Sequence, residues 1–298
     1  MRALVTGGFG FVGRWLVSHL EACGDEVLAT GEEVDVRDAA AVRASLAAAE
    51  PQAVYHLAGR ASVGASWAEP GETFAVNAVG TVNVLDAARR LVTPPRVLVV
   101  SSAEVYGRVG EADLPLREDR PLRPVSPYAA SKVAAEVAAG QAFAAFGLGV
   151  VVARPFNHIG PGQAPAFVVS ALAKRIVEAR RAGRSTIDMG NPAPRRDLTD
   201  VRDVARAYRL LIERGEAGEA YNVCSGRDVR IGDLAARLIE LSGGGLELRA
   251  GAVELRTVEV PVLRGDPARI RAATGWEPSI GLDETLRAVL AHWQRELG

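Results

Sequence analysis

Cysteine is almost missing from this chain. The two present, Cys23 and Cys224, stand far apart in 298 residues, which excludes a disulfide framework and any cysteine-based metal spacing. The four histidines are scattered in the same way, so no metal is expected. Neither sign of charge prevails. With a net charge of −1, no basic field points to nucleic acid or to an anionic membrane surface as partner. No apolar run approaches the length of a bilayer span. Glycines interrupt the apolar residues after Arg2 within a few positions, so no signal-type hydrophobic region forms there. The expected location is the cytoplasm. The hydrophobic fraction of 48% and charged fraction of 24% are those of an ordinary globular protein, long enough for one large core or two small ones.

Against this plain background two motifs stand out. Gly7-Gly8-Phe9-Gly10-Phe11-Val12-Gly13 follows the apolar run Ala3-Leu4-Val5 and opens a helix-like stretch from Arg14 to Leu20. In that setting Gly7, Gly10 and Gly13 let a backbone approach a pyrophosphate, and a helix N-terminus meets its charge. Downstream, Tyr128-Ala129-Ala130-Ser131-Lys132 puts a phenol and an ammonium four residues apart, on one face of a helix. An ammonium near a phenol favours the phenolate and lowers its pKa from about 10. Between the two motifs, Ser101-Ser102-Ala103-Glu104-Val105-Tyr106-Gly107 ends the strand-like run that starts at Arg96. A dinucleotide site followed by a tuned tyrosine points to hydride transfer at a carbinol or ketone carbon.

Strand-like runs (Ala3–Val5, Glu26–Ala29, Ala53–Leu57, Arg96–Ser101, Gly149–Ala153) alternate with Ala- and Leu-rich helical stretches (Ala39–Ala49, Val79–Leu91, Lys132–Phe146). Such alternation predicts right-handed βαβ units. The fold class is therefore α/β, a doubly wound parallel Rossmann sheet with a smaller, mostly helical α/β unit. The link from the second strand to Asp35-Val36-Arg37-Asp38 is too short for a crossover helix, and the Pro-rich loop from Gly107 to Pro127 is expected to lie over a site. After Arg154-Pro155 the texture changes: a turn at Gly160–Pro165, a helix Phe167–Arg181, a turn-rich stretch at Met189–Pro194, then mostly helices after Gly232 with an extended piece from Glu254 to Leu263. The expected partition is 1–157 plus about 196–227 for the dinucleotide unit, and about 158–195 plus 228–298 for the substrate unit.

The chain resembles an extended short-chain dehydrogenase/reductase of the nucleotide-sugar epimerase/dehydratase group over essentially its whole length. The glycine loop matches, as do His56-Leu57-Ala58-Gly59, Asn77, the Ser101–Gly107 motif, the Tyr128/Lys132 pair, Arg196-Asp197 with Asp203, Tyr221-Asn222-Val223 and Gly275-Trp276-Glu277-Pro278. Within the group, Arg154-Pro155-Phe156-Asn157-His158-Ile159-Gly160-Pro161-Gly162-Gln163, followed by Phe167-Val168-Val169, is most similar to the GDP-4-dehydro-6-deoxy-D-mannose reductases.

The resemblance implies that Gly7, Gly10, Phe11, Val12, Gly13, Thr30, Asp35, Val36, Leu57, Ala58, Gly59, Asn77, Ser101, Tyr128, Lys132 and Pro155 form the cofactor site. It implies Ser102, Glu104, Asn157, Val168, Arg196 and Arg256 for a nucleotide sugar, a GDP-linked one by the same resemblance; guanidinium forks suit its pyrophosphate. Ser102 and Tyr128 would bond the C4 oxygen, Tyr128 would supply its proton and Lys132 would tune the phenol. Glu104 leaves two roles open, since dehydratases of the group use a glutamate there to take the C5 proton; they often carry threonine in place of Ser102, and some carry aspartate in place of Ala103. NADH and NADPH stay open as well: no acid stands at the tip Ala29-Thr30-Gly31, Glu32 and Glu33 follow it, and Arg14 and Arg37 are the nearby cations. Three activities follow from the pattern: a 4-ketoreductase, a 4-epimerase or 4,6-dehydratase that recycles its cofactor, and a non-catalytic dinucleotide sensor.

The helix carrying Tyr128 and Lys132 continues through Val133–Phe143 with a surface of Ala and Val, and 79–91 is similarly poor in charge until Asp86. Small apolar surfaces let helices approach closely, and a homodimer through 79–91 and 128–146, with Val84 and Ala138 at the contact, is expected.

Overall fold

The computed structural model describes residues 1–250 and 260–298. Short runs of β-branched and small apolar residues form six parallel strands, Arg2–Thr6, Glu26–Thr30, Ala53–His56, Arg96–Val100, Val150–Pro155 and Ala220–Val223. The fifth is buried at every position, as a sheet covered on both faces requires. Counted along the chain, the strand order is second, first, third, fourth, fifth, sixth. From the first strand the chain leaves toward one edge, and from the third toward the other. The crevice at their carboxyl ends is where a doubly wound sheet binds its ligands.

Apolar residues three and four apart bind the helices to the sheet. On one face, Leu16 and Leu20 of the helix Phe11–Ala22 and Tyr208 and Leu211 of the helix Val201–Arg214 pack on Val5, Tyr55, Leu98 and Val151. On the other, the helices Ala39–Ala49, Gly80–Arg89 and Pro127–Phe146 bring Leu46, Val84, Leu85, Ala135 and Ala139 onto Leu4, Val54, Val97 and Val150. Residues 31–38 hold no helix, and the crossover helix starts only at Ala39, where the Asp38 side chain accepts the amides of Ala40 and Ala41.

A second core joins the helices Val168–Arg181, Ile231–Leu241 and Leu282–Leu297 through Leu172, Ile176, Leu234, Leu238, Leu286 and Leu290. Two segments cross the partition expected from the sequence. The strand Arg195–Asp200 pairs with Asn157–Ile159, Asp228–Arg230 and Val262–Leu263, outside the six-stranded sheet. In the other direction, Ile270 and Trp276 return to the first core. The Trp276 indole donates to the Asp203 carbonyl at 2.9 Å, and the Asp203 carboxylate accepts the amides of Ser279 and Ile280. Buried hydrogen bonds thus tie this stretch to the first core, where charge and periodicity gave no signal. Of the extended piece expected at 254–263, the strand Val262–Leu263 is described and 254–259 lie outside the described residues.

The loop 107–127 is fastened at Leu116, which is fully buried. Its amide donates to the Arg264 carbonyl, and its carbonyl accepts from Asp266 and from the Asn222 side chain. Among the described residues no helix is long and apolar enough to cross a membrane.

Candidate active site

The glycine turn lies at the junction of the first and third strands. Gly7 has φ +68°, and a Cβ on it would stand 2.7 Å from the Ala58 nitrogen. A Cβ on Gly13 would stand 2.2 Å from the Gly7 carbonyl oxygen. The helix Phe11–Ala22 begins without a side-chain cap and without an acid in its first turn, leaving its first amides and the positive end of its dipole to an anion. The Gly8 amide donates to the Thr30 carbonyl at 2.8 Å, and Ala58 donates to the Thr6 hydroxyl at 3.3 Å. These residues fit a dinucleotide: a side chain at 7 or 13 would collide with the backbone of the turn itself and displace the amides that face an anion at the helix end.

At the adenosine end, Val36 is buried against Gly80. Hydrogen bonds from the Arg37 guanidinium hold the Asp35 carboxyl down at about 2. Arg37 also binds Glu72 at 2.6 Å. The Glu33 carboxylate folds back to accept the Gly31 amide at 2.6 Å, while the guanidinium of Arg14 lies near Gly162 instead.

The catalytic pair is set by its helix start. Ser126 accepts the Ala129 amide at 3.1 Å, and Pro127 occupies the first turn. Tyr128 and Lys132 are both buried. The Lys132 ammonium donates to the Val100 carbonyl at 2.9 Å and lies 3.4 Å from where a Cβ on Gly59 would be. Burial pulls it down to about 8, against the nearby charge of Glu136. Burial pushes the Tyr128 phenol up to about 12; a hydrogen bond with Ser102 pulls it down and the charge of Glu104 pushes it further up. The sequence spacing predicts a phenol lowered by Lys132; in the protein without its ligands burial is the larger influence. Desolvation is the largest cause of the shift, so in the protein by itself Tyr128 is a neutral proton donor.

Asn77 sits in a π-helical turn, Ala75–Val79. Its amide donates to the Ser131 hydroxyl at 2.9 Å and to the Arg60 carbonyl at 3.1 Å, and its oxygen accepts the Arg60 amide at 2.8 Å. It thereby ties the Gly59–Arg60 loop to the helix of Tyr128 and Lys132. The hydroxyl of Ser101 is turned to Glu136, and Pro155 is buried in register with Val223. Around Asn77 and Ser101 the side chains thus serve the scaffold. Two further polar residues, His56 and Glu136, complete it. His56 spans Thr6 (2.8 Å) and Thr81 (3.1 Å), and burial lowers it to about 3, so it is neutral. Glu136, four residues past Lys132, pairs with Arg154 at 2.7 Å; its spacing on the same helix face was the available signal.

On the substrate side, Asn157 is exposed on a strand in register with Leu198. Val168, 40% exposed, begins its helix. Arg196 is buried and donates to the Arg195 carbonyl at 2.9 Å, while Arg195 pairs with Asp228. Arg256 lies outside the described residues. This side touches the cofactor helix directly: His158 stacks on Phe11 with ring centroids 6.1 Å apart, and the Trp15 indole donates to the Pro161 carbonyl at 3.2 Å.

Comparison with known proteins agrees with this geometry. The sequence profile of the family described as GDP-mannose 4,6 dehydratase matches residues 30–289. The GDP-6-deoxy-D-mannose reductase of Pseudomonas aeruginosa is 38% identical over 98% of this chain and 97% of its own length. Among solved structures, RMD from Pseudomonas aeruginosa complexed with NADPH superposes with a TM-score of 0.91 at 36% identity, covering 99% of this chain and 100% of that one. Thermus thermophilus UDP-glucose 4-epimerase in complex with NAD gives 0.89 at 30% identity, with 99% of both chains covered.

Proposed function

This chain belongs to the GDP-mannose 4,6 dehydratase family, and from that premise we propose that it is the NAD(P)H-dependent reductase of a nucleotide-linked 4-keto-6-deoxyhexose, with GDP-4-dehydro-6-deoxy-D-mannose as substrate. The observation that carries the reading is the placement of Tyr128 beside Ser102 and one helical turn before Lys132, in a chain 38% identical over 98% of its length to a GDP-6-deoxy-D-mannose reductase. Reduction needs a proton donor at the C4 oxygen, whereas a reaction that starts by oxidation, as in an epimerase or dehydratase, needs a base there. A phenol is protonated at neutral pH even at its ordinary value of about 10, and burial pushes Tyr128 further that way, so it can serve as the donor. Ala103, buried beside Glu104, offers no second acid for dehydration.

When bound, the reduced nicotinamide supplies a hydride to C4. Ser102 donates a hydrogen bond to the C4 oxygen and Tyr128 passes its proton to it. Lys132 would hold the nicotinamide ribose, and its charge favours the phenolate left behind. Asn157 and Arg196 would bind the sugar-nucleotide diphosphate, with Val168 against the nucleotide; Arg256 belongs to the same proposal.

For the coenzyme, NADH is favoured over NADPH. The Glu33 carboxylate stands at the strand tip on the Gly31 amide, and Arg37 is engaged by Asp35 and Glu72. A 2′-phosphate would meet negative charge there.

A homodimer is proposed through the helices that flank the sheet. Val82 and Val137 are 47% and 67% exposed, and Phe74, Phe143 and Phe146 on the same run of helices are exposed as well. Val84, expected at the contact, is instead fully buried against the sheet: its helix presents Val82 outward, because residues two apart point to different sides. The free thiols of Cys23 and Cys224 suit the reducing cytoplasm.

The test is direct. With GDP-4-dehydro-6-deoxy-D-mannose, the purified protein consumes external reduced nicotinamide stoichiometrically, NADH more efficiently than NADPH. Turnover of a nucleotide sugar with no net loss of reduced nicotinamide would assign the chain to the epimerases or dehydratases.

A further inference from the structure

Behind the Tyr128/Lys132 pair lies a buried ion pair that the reaction itself does not use. Glu136 and Arg154 are each more than nine-tenths buried, with Nη2 to Oε2 at 2.7 Å and Nε to Oε1 at 3.0 Å. The Ser101 hydroxyl donates to the same carboxylate. Arg154 also donates to the Tyr106 hydroxyl at 3.1 Å and the Glu118 carbonyl at 3.0 Å, and Tyr106 donates to Asn222 at 2.7 Å. Every member has a partner, the condition under which a buried polar network rigidifies its surroundings.

The network is placed where both halves of the catalytic pair are set. Glu136 stands one helical turn past Lys132, on the same face. Ser101, which it holds, follows Val100, whose carbonyl receives the Lys132 ammonium, and precedes Ser102. One carboxylate therefore binds the strand end that supplies the lysine's acceptor and the substrate serine, and does so from the helix that carries the lysine and tyrosine.

We propose that Glu136 is the positioning residue of the Tyr128/Lys132 pair: it locks the Val100–Ser102 strand end to the catalytic helix and supplies the negative charge that keeps the buried Lys132 protonated. The other titratable groups facing this ammonium do not provide that charge. His56, from the strand Ala53–His56, is neutral, and Tyr128 is a neutral phenol whose own nearby carboxylate is Glu104. Arg154 is the ion-pair partner of Glu136. An ammonium taken out of water loses its proton readily unless an anion is near. The inference rests on the reading of Tyr128 and Lys132 as the proton-handling pair.

The chain contains only two lysines, Lys132 and Lys174. Protein labelled with 13C at the lysine ε-carbon therefore gives two resonances, assigned with Lys174→Arg, and the midpoint of Lys132 can be followed by NMR titration without any activity. Glu136→Gln keeps the shape and an acceptor for Ser101 but strands Arg154, and a buried unpaired charge can unfold the protein. The double variant Glu136→Gln/Arg154→Met removes both charges at similar volume and is the decisive one. In it the Lys132 midpoint is expected to fall by at least about half a pH unit, and the alkaline limb of kcat to fall with it, while KM for the nucleotide sugar stays within about twofold. A folded double variant with an unmoved Lys132 midpoint would overturn the proposal and leave Glu136 as an ion pair of the scaffold. A midpoint that moves while the kcat profile stays in place would support Glu136's hold on the lysine and instead refute the role of Lys132 in turnover.

Discussion

Gly13 lies under the carbonyl of Gly7, so close that a methyl group on it would sit 2.2 Å from that oxygen and 2.6 Å from the Gly8 oxygen. The helix start and the turn before it are thus fitted to each other with no room for a side chain. Gly13→Ala is expected to push the turn outward, to cost about 1–3 kcal/mol of stability as overpacking does, and to weaken NADH by more than about tenfold through the displaced amides. Nicotinamide fluorescence titration together with a melting curve checks both; unchanged coenzyme affinity would mean that the dinucleotide is held elsewhere.

Tyr128→Phe removes the proton donor and keeps the ring. Both ligands should bind as before, and kcat should fall by about 10²–10⁴-fold. A variant that retains more than about a tenth of wild-type kcat would show that the C4 oxygen receives its proton from another group.

The pH profile follows from two buried groups. Lys132, lowered to about 8, is an ammonium below that pH and loses its proton above it, so kcat should decline as pH rises through about 8. His56, at about 3, stays neutral through the whole working range and should add no limb near 6.5. A kcat profile that drops between pH 7 and 6 would place a titrating histidine in the mechanism.

Arg196 is buried on the strand beside that of Asn157. Replacing it with Ala should weaken the nucleotide sugar by about 1.5–3 kcal/mol, the scale of hydrogen bonds to charged groups, with coenzyme affinity nearly unchanged. Equal losses for the two ligands, measured by calorimetry, would identify Arg196 as a support of the fold.

Val82→Glu or Val137→Glu should convert the proposed dimer to monomer by placing a charge in an apolar contact. Light scattering decides: a monomeric wild type rules out the dimer, and a dimer indifferent to both changes moves the contact to another face.

The sequence by itself determined the alternation of strands and helices, the glycine turn and the pairing of Tyr128 with Lys132, because each is written in local spacing: period two or 3.6 for the elements, and four residues for a shared helix face. Tertiary structure decided what depends on distant neighbours. The direction in which the Tyr128 phenol is shifted depends on burial, which no spacing encodes and which pushes it up. Val84 looked like Val82 until the sheet claimed one and left the other in solvent. Asn77, Ser101 and Glu136 acquire their roles from partners 17 to 54 residues away. Desolvation and long-range hydrogen bonding are properties of the packed chain, and they are what turned a legible pair of motifs into a tuned site.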